Sequence, residues 1–435
     1  MKHARYVLCF TRADYRHSAS GLEKYLTEEI DLLSRAEISV ACVFPFRTRR
    51  NPKIDAWLAP FWGVVVDGEW RGFRRATDLA DWLAGLPPAG GGLLEIQLHH
   101  LQEYSLEALA AFLEAVPAPV RLFVHDYHAI CSQYNLLRNG RAFCGPSAPS
   151  EEKCAGCRSW DPAYFPAMRA FLEGLRGRLE ILVPSVAASR VFLGAYPDWA
   201  AGVRIVPHWR SGAAAPTERP EPAEALAIGF AGAPAPAKGW DVFLRASREL
   251  AARRAPYVFY HFGRPAPDGA GPVRNVPVSF VRDGRSAMTA ALRKAGVDVV
   301  VLWSIWPETY CYVLYECLQA GALVVTHADS GNVADEVRRS GVGIVLAGEA
   351  ELVEYLADAP RVRADVRRCR QRSRTQFGTM EVNDEIGRLI PREPTVFSGR
   401  RAPAPPARFV GLLYALKMAW RRRRLARRRG PKQGN

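Results

Sequence analysis

Short apolar runs alternate with amphipathic segments along the first half of the chain. Runs rich in β-branched and large apolar residues predict strands at 6–10, 38–44, 61–66, 93–98, 120–124, 179–183 and 203–206. Apolar residues at helical spacing between some of these runs predict helices, for example at 106–116 and 166–175. Such alternation favours a parallel sheet with helices on both of its faces.

A second alternation of strands and helices begins after a small, proline-rich and polar stretch at 212–224, which has the composition of a linker. Strands are predicted at 226–231 and 257–262, and helices at 240–250 and 286–294. The pattern therefore predicts an α/β protein of two open domains, residues 1–211 and 225–395. A ligand cleft is expected between the strand ends of the two domains.

The stretch from 299 to 326 carries the most specific pattern in the chain. It predicts a buried strand at 299–303, a stop at Pro307, a helix at 309–320 and another strand at 323–326. Glu308 and Glu316 are eight residues apart, so both can lie along one edge of that helix. The backbone N–H groups at the predicted helix start could bind an anion; they belong to Thr309, Tyr310 and Cys311.

The loop after the first strand leads into an amphipathic helix that starts near Gly21. A first strand, a loop of small residues and a helix N-terminus together suit the approach of a phosphate group. A plain strand-to-helix turn is an equally good interpretation of the same residues.

The two glutamates, the proline before them and Ala320-Gly321 after them resemble the donor site of glycosyltransferase family 4, whose members have the GT-B fold. The resemblance is good over residues 226–345 and loose over most of the rest, and it includes Gly331, Glu336 and the segment Lys238-Gly239-Trp240-Asp241. It implies two doubly wound Rossmann-like domains and retaining transfer of a hexose or deoxyhexose from a nucleotide sugar. The acceptor would be a glycan or a lipid-linked sugar in cell-surface polysaccharide synthesis, and no catalytic metal would be required.

The resemblance also assigns roles to single residues. Gly21 matches one glycine of the family's phosphate loop, Glu316 would bind the ribose hydroxyls, and Glu308 would lie near the transferred sugar. Lys238, just before a predicted helix, can supply a point charge to the phosphates, although most lysines are simply solvated. The alternative interpretation is that both glutamates are ordinary residues on a solvent-exposed face of the helix.

His125 follows the strand at 120–124 and resembles the histidine on the cleft floor of the family. A neutral imidazole could orient the sugar, but a histidine at a strand end is often only structural. His99 and His100 are weaker candidates on the same side of the sheet. One family feature is missing, because Ala233 stands where the family commonly has a phosphate-binding arginine; Arg210, Arg264 or another residue would have to replace it.

Four cysteines cluster in the insert at 127–160, namely Cys131, Cys144, Cys154 and Cys157. The last two have the C-x2-C spacing of a metal knuckle, which makes a structural zinc or four free thiols the two main alternatives, ahead of a disulfide. Asn139-Gly140 predicts a hairpin that places Cys144 opposite Asn135, about 13 Å from Cys131 if the strand is regular. The chain would have to bend there for all four thiols to meet.

Composition indicates the cellular compartment of the protein and shows that most of its net charge lies near the C-terminus. No apolar signal segment opens the sequence, no run of 18 apolar residues occurs, and the nine cysteines are an odd number, so we expect a cytoplasmic protein. Of the net charge of +15, residues 400–435 supply twelve positive charges and no negative ones, which leaves +3 for the other 399 residues. The body is near neutral, which disfavours a specific nucleic-acid-binding protein.

The basic tail, residues 396–435, begins with a proline-rich spacer and continues with a helical pattern at 408–429. On a helix, one face would carry Phe409, Leu412, Leu413, Leu416 and Trp420, beside a stripe of Lys417, Arg421, Arg424 and Arg428. That layout predicts an interfacial helix on an anionic membrane, peripheral to the inner face of the plasma membrane. A disordered basic tail and a nucleic-acid arm are the alternatives.

Three functions therefore stay open from the sequence: a glycosyltransferase, a sugar-nucleotide-binding pseudoenzyme or scaffold, and a nucleic-acid-binding protein. Helices predicted at 349–357, 362–375 and 381–389 close the body, and the last of them should cross back to the first domain, as the resemblance implies.

Overall fold

A computed structural model describes the chain except for residues 18–19, 49–50, 87–90, 213–220, 267–270, 396, 398, 400–403 and 428–435, and except for the side chains of residues 374–375 and 424–427. Most of the predicted linker and Arg428 of the predicted basic stripe lie outside the described residues.

The first 211 residues form one large sheet with helices around it. Its strands and those of a small hairpin and ribbon are β1 (Arg5–Phe10), β2 (Ile38–Pro45), β3 (Phe61–Val66), β4 (Glu69–Arg75), β5 (Gly92–Leu98), β6 (Val120–Phe123), β7 (Leu137–Arg138), β8 (Ala142–Phe143), β9 (Leu179–Val183), β10 (Val203–Ile205) and β11 (Trp209–Ser211). The helices are α1 (Gly21–Arg35), α2 (Pro52–Leu58), α3 (Ala76–Ala84), α4 (Leu106–Ala115), α5 (Glu151–Cys154), α6 (Tyr164–Glu173) and α7 (Val186–Ala195).

The strand order of the large sheet is β10-β9-β6-β5-β1-β2-β3-β4. Six of the strands run parallel, but β3 and β4 are antiparallel to their neighbours, which differs from the fully parallel sheet that we expected. The turn between β3 and β4 explains this difference. Asp67 and Gly68 both have positive φ, at 49° and 83°, which is the geometry of a tight two-residue hairpin.

The second part of the chain forms a six-stranded parallel sheet in the order β14-β13-β12-β15-β16-β17. The strands are β12 (Leu226–Ala231), β13 (Tyr257–Gly263), β14 (Val273–Pro277), β15 (Val299–Leu302), β16 (Leu323–His327) and β17 (Gly343–Leu346). The helices are α8 (Trp240–Ala252), α9 (Phe280–Asp283), α10 (Ala287–Lys294), α11 (Tyr312–Gln319), α12 (Asn332–Ser340), α13 (Glu349–Ala357) and α14 (Ala359–Gln376). Its central strands β15 and β16 are almost wholly buried, as their continuous apolar runs predicted.

After α14 the chain returns to the first sheet, as expected. It forms β18 (Met380–Val382), α15 (Glu385–Leu389) and α16 (Arg408–Arg427). β18 pairs antiparallel with β11, and Thr395 makes a bridge to Leu93. The predicted single helix at 381–389 is therefore wrong in its first half, because those residues join a two-stranded ribbon.

Helix α16 packs on the outer face of the first sheet. Val410 and Tyr414 are buried in the apolar cluster that also holds Phe44 and Phe73. The Tyr414 hydroxyl donates a hydrogen bond of 2.8 Å to Asp14, and Lys417 donates one of 2.6 Å to the Arg47 carbonyl. No helix in the described part of the chain is both long and apolar enough to cross a bilayer.

These contacts correct the predicted faces of α16. Leu413 packs against the protein and not on the outer face, and Lys417 points inward and does not join an exposed basic stripe. The error arose because α16 is apolar on two faces, so sequence spacing alone could not tell which face the sheet would cover.

Candidate functional site

The loop between β15 and α11 carries Glu308 and faces the first domain. The helix begins at Tyr312 and not at 309, so Glu308 precedes it and does not share a helical edge with Glu316. Tertiary contacts hold the loop in this shape, since Thr309 donates its hydroxyl to the His125 carbonyl at 2.6 Å. The Cys311 N–H donates to the Asn332 side chain at 3.1 Å, so it is not free for an anion as predicted.

Glu308 is buried and is held by two polar groups. The Ser304 hydroxyl donates to its carboxylate at 2.7 Å, and the Lys238 ammonium lies 2.5 Å from the same oxygen. Burial alone would lower the pKa of Lys238, but attraction to the Glu308 carboxylate outweighs it and raises that pKa. The structure thus brings together two residues that the sequence placed in one site from positions 70 residues apart.

Gly331 fixes the position of the Glu308 backbone. Its φ is +61°, and a Cβ built there would lie 2.6 Å from both the Glu308 nitrogen and the Pro307 carbonyl carbon. The Asn332 N–H donates to the Glu308 carbonyl at 2.9 Å. A side chain at residue 331 would therefore displace the loop, which explains why glycine stands at this position.

Glu316 faces α1 of the first domain. Its carboxylate forms a 2.7 Å ion pair with Lys24, and the side chains are only 6% and 7% exposed. The Lys24 ammonium also lies 4.3 Å from the centre of the Trp209 ring and 4.8 Å from that of Tyr312. Sequence reasoning missed Lys24, although a lysine within the apolar face of α1, next to Tyr25, was a signal.

Gly21 opens α1, and Ser20 before it shares a capping hydrogen bond with Glu23. A Cβ at residue 21 would lie 3.9 Å from the Tyr312 ring. The start of α1 is therefore beside the start of α11, which places Gly21 near Glu316 across the cleft.

His125 points into a buried network of polar side chains. Its Nε2 lies 3.1 Å from His99 Nδ1, and His99 Nε2 lies 3.1 Å from Gln97 Oε1. Gln97 donates its amide N–H groups to Glu29 and Glu95, so its oxygen accepts from His99 Nε2. His99 Nδ1 is then an acceptor, and His125 must carry its proton on Nε2 to donate to it. Burial lowers the pKa of His125 to about 3, so the ring is neutral at pH 7.

The side chains of His125 and Glu308 are not in contact in the described structure. His125 shares a pocket with Tyr25, Glu28 and His208, whereas Glu308 is next to Thr309, whose hydroxyl donates to the His125 backbone carbonyl. Glu29 borders the same pocket, and burial raises its pKa to about 8. The sequence did not single out Glu28, Glu29 or His208, although two adjacent glutamates one turn after Tyr25 on an amphipathic helix were a visible sign.

A second polar cluster consists of His100, Asp126 and His128, whose nearest ligand atoms lie within 4.8 Å of one another. His100 Nε2 and His128 Nδ1 each lie 2.8 Å from the Asp126 carboxylate. The other nitrogen of each ring accepts a backbone N–H, from Gln102 at 3.0 Å and from Leu101 at 3.2 Å. The ring protons therefore sit on the nitrogens nearest Asp126. His128 donates to that carboxylate, whereas His100 Nε2 lies close to it without forming a hydrogen bond in the described structure. In this tautomeric state neither protonated nitrogen can act as a metal ligand.

The four clustered cysteines are free thiols that line one pocket. The predicted hairpin register is wrong by one residue. Leu137 pairs with Phe143, so Cys144 stands opposite Leu136 and the turn holds three residues, the first two with positive φ. The chain also bends before the hairpin, where the Cys131 N–H donates to the Tyr127 carbonyl at 3.1 Å, and this bend brings Cys131 back toward the other thiols.

Two candidates for the missing cation near Ala233 have defined positions. Arg210 is held by Asp384 at 2.9 Å on the ribbon between the domains, and Arg264 is exposed. Arg12, which the sequence did not suggest, lies over the Tyr134 ring at 5.4 Å and has no ion-pair partner among the described residues. Arg12 lies two residues after the end of β1, in the loop that leads to the start of α1 at Gly21.

Solved structures with the same architecture cover most of this chain. HepE from Anabaena in complex with UDP-glucose has 13% sequence identity and a TM-score of 0.51, over 86% of this chain and 95% of that one. Sucrose-phosphate synthase from Thermosynechococcus elongatus has 13% identity and a TM-score of 0.53, over the same shares. A glycosyltransferase from Rickettsia africae has 11% identity and a TM-score of 0.51, over 86% and 94%.

No family model matches the chain, and no curated protein sequence matches it either. The structural likenesses confirm the predicted GT-B fold, with two Rossmann-like domains facing a cleft, which the sheet topologies also show.

Proposed function

We propose that the protein is a retaining glycosyltransferase of the family 4 type, which transfers a hexose or deoxyhexose from a nucleotide sugar. The observation that carries this proposal is the pairing of Lys238 with Glu308 on the loop that faces the first domain of a GT-B fold. A cation and a buried carboxylate at one edge of the cleft supply what the reaction needs: charge for the leaving diphosphate and an acceptor for sugar hydroxyls. HepE, solved with UDP-glucose, indicates the class of donor.

Each residue of the site has a proposed role. Lys238 and Arg12 supply positive charge to the diphosphate, while Glu308 stays near the sugar. Glu316 binds the ribose hydroxyls, and the phosphates lie between the start of α1 at Gly21 and the loop residues Thr309 and Tyr310, which precede α11. The neutral His125 offers its Nδ1, which has no partner among the described residues, to a substrate hydroxyl.

Donor binding at Glu316 requires Lys24 to move. In the closed structure the Lys24 ammonium is paired with the Glu316 carboxylate, which is the group that would accept hydrogen bonds from the ribose hydroxyls. We infer that α1 and α11 separate to admit the donor, and that Lys24 then turns toward the diphosphate. No catalytic metal takes part in this scheme, so turnover should not depend on an added divalent cation.

A second candidate function is a sugar-nucleotide-binding scaffold without transfer activity. The Lys24–Glu316 pair and the alanine at residue 233 favour it, because both leave the donor with fewer protein partners. Incubation with a panel of nucleotide sugars distinguishes the two. Release of free nucleoside diphosphate that is strongly reduced by Glu308→Gln and by Lys238→Ala supports the enzyme, whereas binding without release supports the scaffold. The anomeric configuration of the product, read by NMR, tests retention.

The acceptor we propose is a growing glycan or a lipid-linked sugar in cell-surface polysaccharide synthesis. We also propose that the protein works in the cytoplasm at the inner face of the plasma membrane, with residues 408–429 as the membrane-binding segment.

A further inference from the structure

Helix α16 presents a line of exposed apolar side chains on the face that points away from the protein. Phe409, Leu412, Leu416 and Trp420 are 62%, 57%, 58% and 48% exposed. They follow one another at intervals of three or four residues, so they form one row along the helix. The opposite face is fixed to the sheet by Tyr414, so the row cannot turn inward.

The row continues onto a second helix. Trp57 of α2 is 50% exposed, and its ring meets that of Phe409 edge-on with 6.0 Å between centroids. Ile54, on the same helix, is also exposed. We call these six side chains the apolar strip: Ile54, Trp57, Phe409, Leu412, Leu416 and Trp420.

The apolar strip contains most of the exposed large apolar side chains of the described residues. The described part of the chain has ten exposed large apolar side chains, and six of them belong to the strip. Single exposed apolar residues are ordinary on a soluble protein, but a contiguous patch marks an interaction surface.

Positive charge borders the strip. Arg421, Arg422 and Arg423 follow Trp420 directly and are exposed, and Arg408 and Lys53 are exposed at the other end. Helix α16 has no acidic residue. A row of apolar and aromatic groups flanked by arginines fits the headgroup layer of an anionic bilayer, in which apolar groups insert and cations meet phosphates.

We propose that the apolar strip of α2 and α16 docks the folded protein on an anionic membrane. The high positive charge of each copy opposes a second copy on the same face. Nucleic-acid bases could stack on Phe409 and Trp420, but they would leave Leu412 and Leu416 uncovered. Because α16 is packed on the first domain, docking fixes the orientation of the cleft relative to the bilayer, and not merely its distance from it.

Flotation of the full-length protein with vesicles tests this proposal. Vesicles of phosphatidylcholine alone are compared with vesicles in which about a third of the lipid is phosphatidylglycerol. Point variants are needed, because removal of α16 would also strip Val410 and Tyr414 from the core. Leu412→Ser/Leu416→Ser should reduce partition to anionic vesicles at least about tenfold, and Trp57→Ser should reduce it also.

The control is Val186→Ser/Val281→Ser, which removes two side chains of similar exposure, 57% and 65%, outside the strip. It should float like the parent protein. Equal flotation of all variants, flotation with neutral vesicles only, or binding to an oligonucleotide with no flotation would each overturn the proposal.

The cysteine insert carries a second, independent inference. The loop with Cys154 and Cys157 is fixed to the hairpin turn, since Asn139 donates to the Gly156 carbonyl at 3.2 Å and accepts from the Arg158 N–H at 2.8 Å. This docking places two thiols opposite Cys144, and the bend at Tyr127 adds Cys131. The insert has only two-residue strands and a four-residue helix of its own, too little to hold this shape by itself.

We propose that a structural zinc ion is bound by Cys131, Cys144, Cys154 and Cys157, because the fold brings all four free thiols to one pocket. Among the described residues no three of these sulfurs lie within 4.8 Å of one another, so they would have to move to the spacing of about 3.8 Å that tetrahedral zinc requires. Zinc would thus close the pocket that the four thiols line. Its thiolate ligands would replace the missing apolar core of the insert.

Metal analysis of the full-length protein, purified without chelator, should give about one zinc per chain. Cys154→Ser/Cys157→Ser should lose it, while Cys369→Ser, far from the insert, should keep it. Cobalt in place of zinc should give the strong thiolate-to-metal absorption of a tetrahedral sulfur site, a readout that holds even where a serine variant folds poorly. Protein without zinc, with four reactive thiols in the insert and no cobalt spectrum, would overturn this inference.

Discussion

The buried ion pair between Lys24 and Glu316 gives the sharpest test of the closed cleft. It joins α1 of the first domain to α11 of the second across 292 residues of sequence. We consider the substitution Glu316→Gln, which keeps the shape of the side chain and removes its charge. Lys24 would then remain as a cation, 7% exposed, without its carboxylate.

Loss of one partner of a buried pair costs about 3–5 kcal/mol, because the other charge is left in a poor solvent. Lys24 keeps its contacts with the rings of Trp209 and Tyr312, so we expect the lower end, about 3 kcal/mol. At an unfolding entropy of about 2.1 cal/mol/K per residue, this lowers Tm by about 3 °C if all 435 residues unfold together, and by about 7 °C if one domain of about 200 residues does.

A double-mutant cycle in urea isolates the pair. Lys24→Met should cost a similar amount, and the double variant Lys24→Met/Glu316→Gln should recover most of the loss, with a coupling of about 2–3 kcal/mol. The matched control is the pair Arg245 and Glu349, which are 2.6 Å apart but 57% and 37% exposed, and there the coupling should stay below about 1 kcal/mol. Equal coupling in the two cycles would show that Lys24 and Glu316 are solvated and that the cleft is not closed as described.

Three further outcomes follow from the site. Glu308→Gln should lower kcat about tenfold or more with donor KM little changed. Glu316→Ala should raise donor KM or Kd instead, because a ribose contact acts on ground and transition states alike. Unchanged kinetics in both variants would remove these residues from the donor site. Gly331→Ala should reduce both stability and turnover, because its Cβ would lie 2.6 Å from the Glu308 nitrogen, while Gly348→Ala, with no atom within 4 Å, should not. Burial raises the pKa of Glu29 from 4.5 to about 8, so the folded state holds this proton more tightly and stability falls as pH rises from about 4.5 to 8. In urea unfolding, Glu29→Gln should lack that part of the decline. Parallel pH profiles of the variant and the parent protein would contradict this prediction.

Local pattern was enough to predict most of the scaffold. The strands at 61–66, 179–183 and 226–231 and the helix at 349–357 have the predicted bounds, because continuous apolar runs or helical spacing ended there at turn residues. The antiparallel strand β4 was missed because its residues Glu69–Arg75 are mostly charged, so no apolar run marked it.

Long-range contacts decided what the pattern could not. The helix predicted from residue 309 starts at Tyr312, because Thr309 and Cys311 bond to His125 and Asn332 instead of to a helical turn. The partner of Glu316 lies 292 residues away and that of Tyr414 400 residues away, so neither could be deduced from spacing. The roles of Glu308, Glu316, Lys238 and His125 in chemistry stay predictions until they are measured.

The most direct test of the central claim is donor binding itself. Isothermal titration or thermal shift of the full-length protein with UDP-, GDP-, CMP- and dTDP-sugars should show one nucleotide class that binds and raises Tm. Lys238→Ala and Glu316→Ala should weaken that binding, and Glu349→Ala, an exposed glutamate on α13, should leave it unchanged. If no nucleotide sugar binds, or if the first two variants bind as tightly as the parent protein, the cleft between the two sheets is not a donor site.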